Sequence, residues 1–311
     1  MMTSFALFFL SIAIIESMAG LLGTGIILAA SLFSCIRSKT RSPYDMIMVS
    51  LSSSRFIFHS WNILDLFINI WHEHYYGEEN VGVVSNTVYV FLNYCSLWFG
   101  AWLSVFYCIK VASFTPSFFI WLKQRIARLV PWMLLTSWLC SFTAAIPFIW
   151  DDYALQRNFT APQPMTNSSA VRTTWKDRFG LLILLCNAST ALPFILSVVS
   201  SVLLIRSLWM HRRCMQHNAS GFRDPSSEAY ISAIKSVFSL LILYIIYFIC
   251  LLLLLCSDFL PLSDEESICV AVLAACPTGH TLVLIWSNPK FREQPARIWH
   301  HINCHGRTAS T

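Results

Sequence analysis

The chain has 311 residues, 56% hydrophobic and only 12% charged, and its 21 Lys and Arg against 16 Asp and Glu give a net charge of +5. So few charges cannot cover so much apolar surface in water, which excludes ordinary soluble enzymes and binding modules and leaves a membrane bundle. The basic excess calls for no nucleic acid, because membrane topology alone accounts for it.

About 20 apolar residues cross a hydrocarbon core of roughly 30 Å at about 1.5 Å per helical residue. Stretches of that length lie near residues 5–34, 45–71, 84–112, 126–150, 179–210, 232–259 and 266–287, followed by a short tail, 288–311. The fold expected is an all-α seven-transmembrane helix bundle forming one domain. The first stretch reads as a retained helix, since Met1 to Ser4 carry no basic residue and the apolar run exceeds that of a signal peptide.

Glu16 falls in the outer half of the first helix, and the segment after it is basic, with Arg37, Lys39 and Arg41. Arg55 lies ten residues into the second span, about 15 Å deep and too far from either surface to snorkel. It is expected to seek carbonyls or side-chain oxygens on the first and seventh helices, as a helix clamp or as part of an activation switch. Asp65 sits near the outer water layer and can line an outward-facing pocket. The next segment is acidic, with Glu73, Glu78 and Glu79.

On the third helix Tyr89, Asn93 and Ser96 recur at spacings of four and three, forming one polar stripe that should face the interior, for packing or for a ligand. Lys110, Lys123, Arg125 and Arg128 follow without an intervening acid. The outer segment 151–178 contains two acceptor triplets for N-glycosylation, at Asn158 and Asn167. Those at Asn187 and Asn218 fall within a span and on the inner side, and are discounted. Arg206, Arg212, Arg213, Arg223 and Lys235 form the next basic group, Asp258, Asp264, Glu265 and Glu266 the next acidic one, and the tail adds Lys290, Arg292, Arg297 and Arg307. Sixteen of the 21 basic residues thus share one side, which puts the N-terminus outside and the tail in the cytoplasm. Pro147, Pro193 and Pro277 lie within or near span ends, where they can kink helices. Trp71, Trp98, Trp102, Trp132, Trp138 and Trp150 suit the interfacial belts.

Most of the 11 cysteines sit inside spans and the long outer segment has none, so no bridge can tie that segment to the third helix. The histidines show no HExxH or GxSxG pattern, and His300, His301, Cys304 and His305 read as a solvated basic tail rather than a metal site. No enzyme, cofactor or metal is expected.

Local motifs narrow the family. The run from Trp98 through Tyr107, Lys110 and Phe114, followed by Phe119 to Lys123, resembles the third helix and second inner loop of type 2 bitter taste receptors. Leu51 to Arg55 is similar to that family's second-helix motif. Leu203 to Leu208 with His211 and Met215 resembles the exit of its fifth helix, and Asp224 to Ser226 with Ala233 and Lys235 resembles the start of its sixth. Pro277, His280, Leu284, Ile285, Asn288, Lys290 and Phe291 follow its seventh-helix pattern. The chain departs from the pattern at Thr24, where Asn is usual, at Tyr230, where His is usual, and at Val270, acidic in some members.

The resemblance implies a G-protein-coupled receptor for small bitter compounds in the cell membrane, coupled to a gustducin-class heterotrimeric G protein. Its ligand pocket would lie among helices 2, 3, 5, 6 and 7, with Asp65 from its depth and Tyr89, Asn93, Tyr247 and Val270 from family positions on the walls. Arg55, Pro277 and His280 would serve structure and activation, and Lys110, Lys123, His211 and Lys235 would surround the G-protein site. Another seven-helix chemosensory receptor, of the pheromone type, fits the third-helix run less well. A transporter or channel would place Arg55 and Asp65 along a conduction route and calls for internal repeats, which the sequence does not display.

Overall fold

A computed structural model describes residues 4–37, 42–71, 79–111, 117–160, 189–207, 209–210, 225–256 and 263–292. His211, Asn167 and the tail cluster His300 to His305 lie outside the described residues. Among those described are seven long helices: α1 (Ser4–Arg37), α2 (Pro43–Trp71), α3 (Glu79–Val111), α4 (Ser117–Thr160), α5 (Ser189–Ser207), α6 (Pro225–Cys256) and α7 (Asp264–Ser287). A last helical turn follows at 289–292.

Apart from α5, the helices run longer than their apolar stretches. Residues 117–125, expected in an inner loop, open α4 without a Gly or Pro to interrupt them, and Leu122, Lys123, Gln124 and Arg125 are good helix formers, so Lys123 rides on its first turns. At its other end α4 continues past the expected boundary at 150 to Thr160, which puts Asn158 in its final turn. Pro225 opens α6, where its missing N–H costs no helical bond. In α7 the side chain of Ser263 accepts from the Glu266 N–H at 3.3 Å, and three acids fill the first turn, favourable at the positive end of a helix dipole.

Six of the seven helices are long and apolar enough to cross a bilayer by composition alone; α2 is not among them. Its polar residues explain the shortfall: Ser52, Ser54, Arg55, His59 and Asn62 are all buried, turned inward where lipid does not meet them. The opposite pattern holds outside, where Ile15, Leu22, Trp132, Leu139, Val202 and Trp286 face away from the bundle.

Neighbours follow the chain around the bundle: α1 packs on α2 and α7, α2 on α3, α3 on α4, and α6 on α7. The parallel Phe194 and Phe248 rings, 6.0 Å apart, bring α5 against α6. One core cluster gathers Ile27, Met48, Leu51, Phe99, Leu103 and Phe291; a second joins Tyr94, Leu97, Leu240, Tyr244 and Tyr247 to Leu273 and Cys276. Trp98 and Trp102 stack on each other along α3, their rings 6.0 Å apart, and Trp102 Nε1 donates to Ser137 Oγ of α4 at 2.6 Å. An indole N–H within the bundle needs an acceptor, and Ser137 supplies it.

Helices α1, α2 and α7 approach closely at Gly20, where a Cβ would stand 2.5 Å from both His59 Nε2 and Thr278 Oγ1. Thr278 Oγ1 in turn donates to the Glu16 carbonyl at 3.0 Å, a bond between α7 and α1.

Candidate functional site

Three polar groups divide the bundle interior along its axis, and α3 contributes to each. The first lies toward the N-terminal end of α1. Asp65 on α2 accepts a short hydrogen bond from Ser85 Oγ on α3, and Asn93 Nδ2 donates a short one to the Tyr247 hydroxyl on α6. Between them the Tyr89 ring packs on Phe58 of α2, with centroids 5.2 Å apart. The stripe read from the sequence therefore touches two different helices. Spacing of three and four fixes a shared face, and the packing decides which neighbour each side chain meets. Tyr247 and Asn93 are buried, while Tyr89 and Asp65 are partly accessible. Val270 is set apart from this group, packed with Leu10, Ala13 and Leu66 where α7 meets α1 and α2.

The second group is centred on Arg55, 3% exposed. Its Nε donates to Ser96 Oγ at 3.0 Å and its Nη1 to Thr281 Oγ1 at 3.2 Å, which clamps α2 to α3 and α7. Placing an arginine at the centre of a membrane helix costs about 3 kcal/mol on insertion scales. Two hydrogen bonds from a charged donor at about 1.5–3 kcal/mol each offset that cost. The partner expected on the first helix is replaced by one on the third, and Thr24 Oγ1 donates within α1, to the carbonyls of Gly20 and Leu21. The Thr281 hydroxyl also donates to the Pro277 carbonyl at 2.9 Å, so Arg55 is tied to the one proline inside α7. His280, next along, is fully buried. Beside the clamp, the Tyr244 hydroxyl of α6 donates to the carbonyl of Leu97, the residue after Ser96 on α3, at 2.5 Å.

The third group closes the tail end. Lys290 Nζ meets Asp45 Oδ1 at 2.6 Å, and Ser34 Oγ donates to Asp45 Oδ2 at 3.2 Å. Asn288 Nδ2 donates to the Tyr44 hydroxyl at 2.9 Å, and the Tyr107 hydroxyl donates to the same oxygen at 3.4 Å. Asn288 also caps the turn after α7, its Oδ1 accepting from the Lys290 N–H at 3.0 Å, and that turn drives Phe291 into the core. Sequence alone attaches no role to Asp45, Tyr44 or Ser34. Their signal is faint, since each lies near a span end where a polar residue needs no explanation. Nearby, Lys110, Lys123 and Lys235 are exposed, with Lys110 Nζ 5.8 Å from the Phe106 ring centroid.

Among the described residues no group of three His, Cys, Asp or Glu is placed to hold a metal ion. What the geometry offers is a receptor-like arrangement: a partly accessible polar cluster at one end, a charged clamp in the middle, and an ion-paired closure beside exposed lysines at the other.

The family model for taste receptor protein (TAS2R) matches residues 1–303. The chain belongs to this family. It is 58% identical to taste receptor type 2 member 40 of Gallus gallus over 303 residues, 97% of each chain. It is 33% identical to taste receptor type 2 member 39 of Homo sapiens over 291 residues, 93% of this chain and 85% of the relative. With taste receptor type 2 member 41 of Rattus norvegicus it shares 31% identity over 296 residues, 94% of this chain and 95% of the relative. The protein is accordingly a multi-pass membrane receptor of the bitter taste class and not an enzyme.

Proposed function

We propose that the chain binds small, mostly apolar bitter compounds beside the Asp65, Tyr89, Asn93 and Tyr247 cluster and transmits that binding to a gustducin-class G protein at the tail end. The hydrogen bond between Asn93 and Tyr247 carries this reading. It joins α3 to α6 at the partly accessible end, so a ligand that competes for either group changes how the two helices meet. A few polar groups within apolar walls suit weak recognition of many compounds. Val270 borders the pocket only for ligands long enough to reach the α1 side.

Orientation follows the basic residues, with the N-terminal end and the acidic first turn of α7 outside and the tail in the cytoplasm. Asn158, in the last turn of α4, and Asn167 then lie on the side where glycans are added. Lys110, Lys123, His211 and Lys235 border the G-protein site, and the outward faces of the helices meet lipid. A ligand activates by favouring one arrangement of the bundle over another, and Arg55, Pro277 and His280 stand where α2, α3 and α7 are coupled.

The test is calcium release in cells expressing the chain with a gustducin-class Gα, against a broad panel of bitter compounds. Responses are expected with that Gα and not without it. Asn93→Ala should lower potency for polar agonists about tenfold, as expected from losing one hydrogen bond of about 1.4 kcal/mol, at unchanged surface expression. Silence across the panel at normal surface expression contradicts the reading, and unchanged potencies in Asn93→Ala remove that residue from the site.

A further inference from the structure

The middle of the bundle holds a positive charge with no counter-charge beside it. Arg55 is paired only with the hydroxyls of Ser96 and Thr281, and among the described residues no carboxylate is within ion-pair range of it. Two imidazoles border the guanidinium. His59 stands one helical turn along the same face of α2, and His280 precedes Thr281, the residue that accepts from Arg55 on α7. Both rings lie within the field of the guanidinium. His59 is 0% and His280 1% exposed, and neither Nδ1 nor Nε2 of either ring has a hydrogen-bond partner. The close approach at Gly20 wedges His59 between α1 and Thr278 of α7, so the ring cannot turn outward to find one.

A neutral imidazole carries one N–H donor, and a buried donor without an acceptor is costly. Two such donors near an arginine, with no anionic acceptor bonded to any of them, form the inverse of a metal site: rich in N–H, positive, and buried. Glu16 is the acid nearest along α1, one turn outward from Gly20, and its Oε2 is likewise buried and without a partner. It forms no ion pair with Arg55. A cation drawn to Glu16 is therefore the natural rival occupant.

We propose that a small monovalent anion of the halide class binds among Arg55, His59 and His280, held by their N–H groups, and stabilises the packing of α2 against α7. The inference is independent of which tastant or which G protein the receptor uses.

The test uses the purified full chain in lipid nanodiscs. Thermal unfolding is followed by tryptophan fluorescence in sodium chloride, choline chloride, sodium bromide and sodium gluconate at equal ionic strength. Both chloride salts and the bromide should raise Tm over gluconate by about 3 °C, saturably, as expected for a ligand that binds only the folded state. The combined His59→Leu and His280→Leu variant should lose that increment. Equal Tm in chloride and gluconate overturns the proposal. So does an increment that follows sodium rather than the anion, which would assign the site to a cation at Glu16, and so does an increment retained in the variant. Should the variant fail to fold, ³⁵Cl line broadening on the unmodified chain decides: broadening beyond that of empty nanodiscs, reversed by bromide, supports the site, and none refutes it.

Discussion

At Gly20 the absence of a side chain holds three helices together. A Cβ there would stand 2.5 Å from His59 and from Thr278, below any distance that real Cβ atoms keep. Gly20→Ala should therefore push α1 off α2 and α7 and destabilise the receptor by about 1–3 kcal/mol, the usual cost of overpacking. Unfolding of the purified protein would register this as a lowered Tm, and an unchanged Tm would mean that the helices can separate freely. Single residues also mark how far the sequence can be read. Arg55 is conspicuous from its depth, because a charge about 15 Å inside hydrocarbon needs partners. One partner is expected on the seventh helix, and Thr281 takes that part; the other is expected on the first and is Ser96 of the third. Nothing in a one-dimensional pattern tells which hydroxyl a flexible guanidinium reaches. Thr24 satisfies itself within its own turn, a choice that only the packed helix reveals.

Helices are easier to read than their ends. Apolar length locates every one of the seven, yet α4 begins nine residues before its expected start and ends ten after its expected end, running through Pro131 and Pro147, because apolar length marks what can lie in lipid and not where the helical hydrogen bonds stop. Asp45 is silent in the sequence for a related reason. At a span end its charge looks solvated, whereas Lys290 arrives 245 residues later in the chain and pairs with it at 2.6 Å. This pair and Asn288 dock the end of α7 on the start of α2. A double-mutant cycle on Asp45→Asn and Lys290→Met should give a coupling energy of about 0.5–3 kcal/mol in thermal or denaturant unfolding; additive effects would make the pair incidental. Pro277 tests the other property of α7. It removes a helical hydrogen bond, and its carbonyl receives Thr281, the partner of Arg55. Pro277→Ala should restore the bond and raise Tm while lowering maximal agonist response, measured as calcium release at matched surface expression. A raised Tm with full response would make the proline a packing feature only.

Across the whole molecule, the three polar groups lie in sequence from the cluster toward the N-terminal end of α1 through the Arg55 clamp to the ion-paired closure, and α3 and α7 run past all of them. Composition and charge bias carry the architecture, and five ordered motifs carry the family, which relatives at 31–58% identity establish. The candidate binding site is less legible. Asp65, Tyr89, Asn93 and Tyr247 do come together, but Val270 packs on the α1 side, and which wall a residue joins depends on helix rotation rather than on spacing. In the proposed mechanism, a compound bound beside Asn93 and Tyr247 separates the inner ends of α3 and α6. The distance between spin labels placed at positions 110 and 235 of the receptor in nanodiscs, with and without saturating agonist, reads that motion directly. A population at longer distance should grow with agonist and be reduced in Asn93→Ala. A distribution unmoved by an agonist that evokes full signalling in cells would contradict the mechanism.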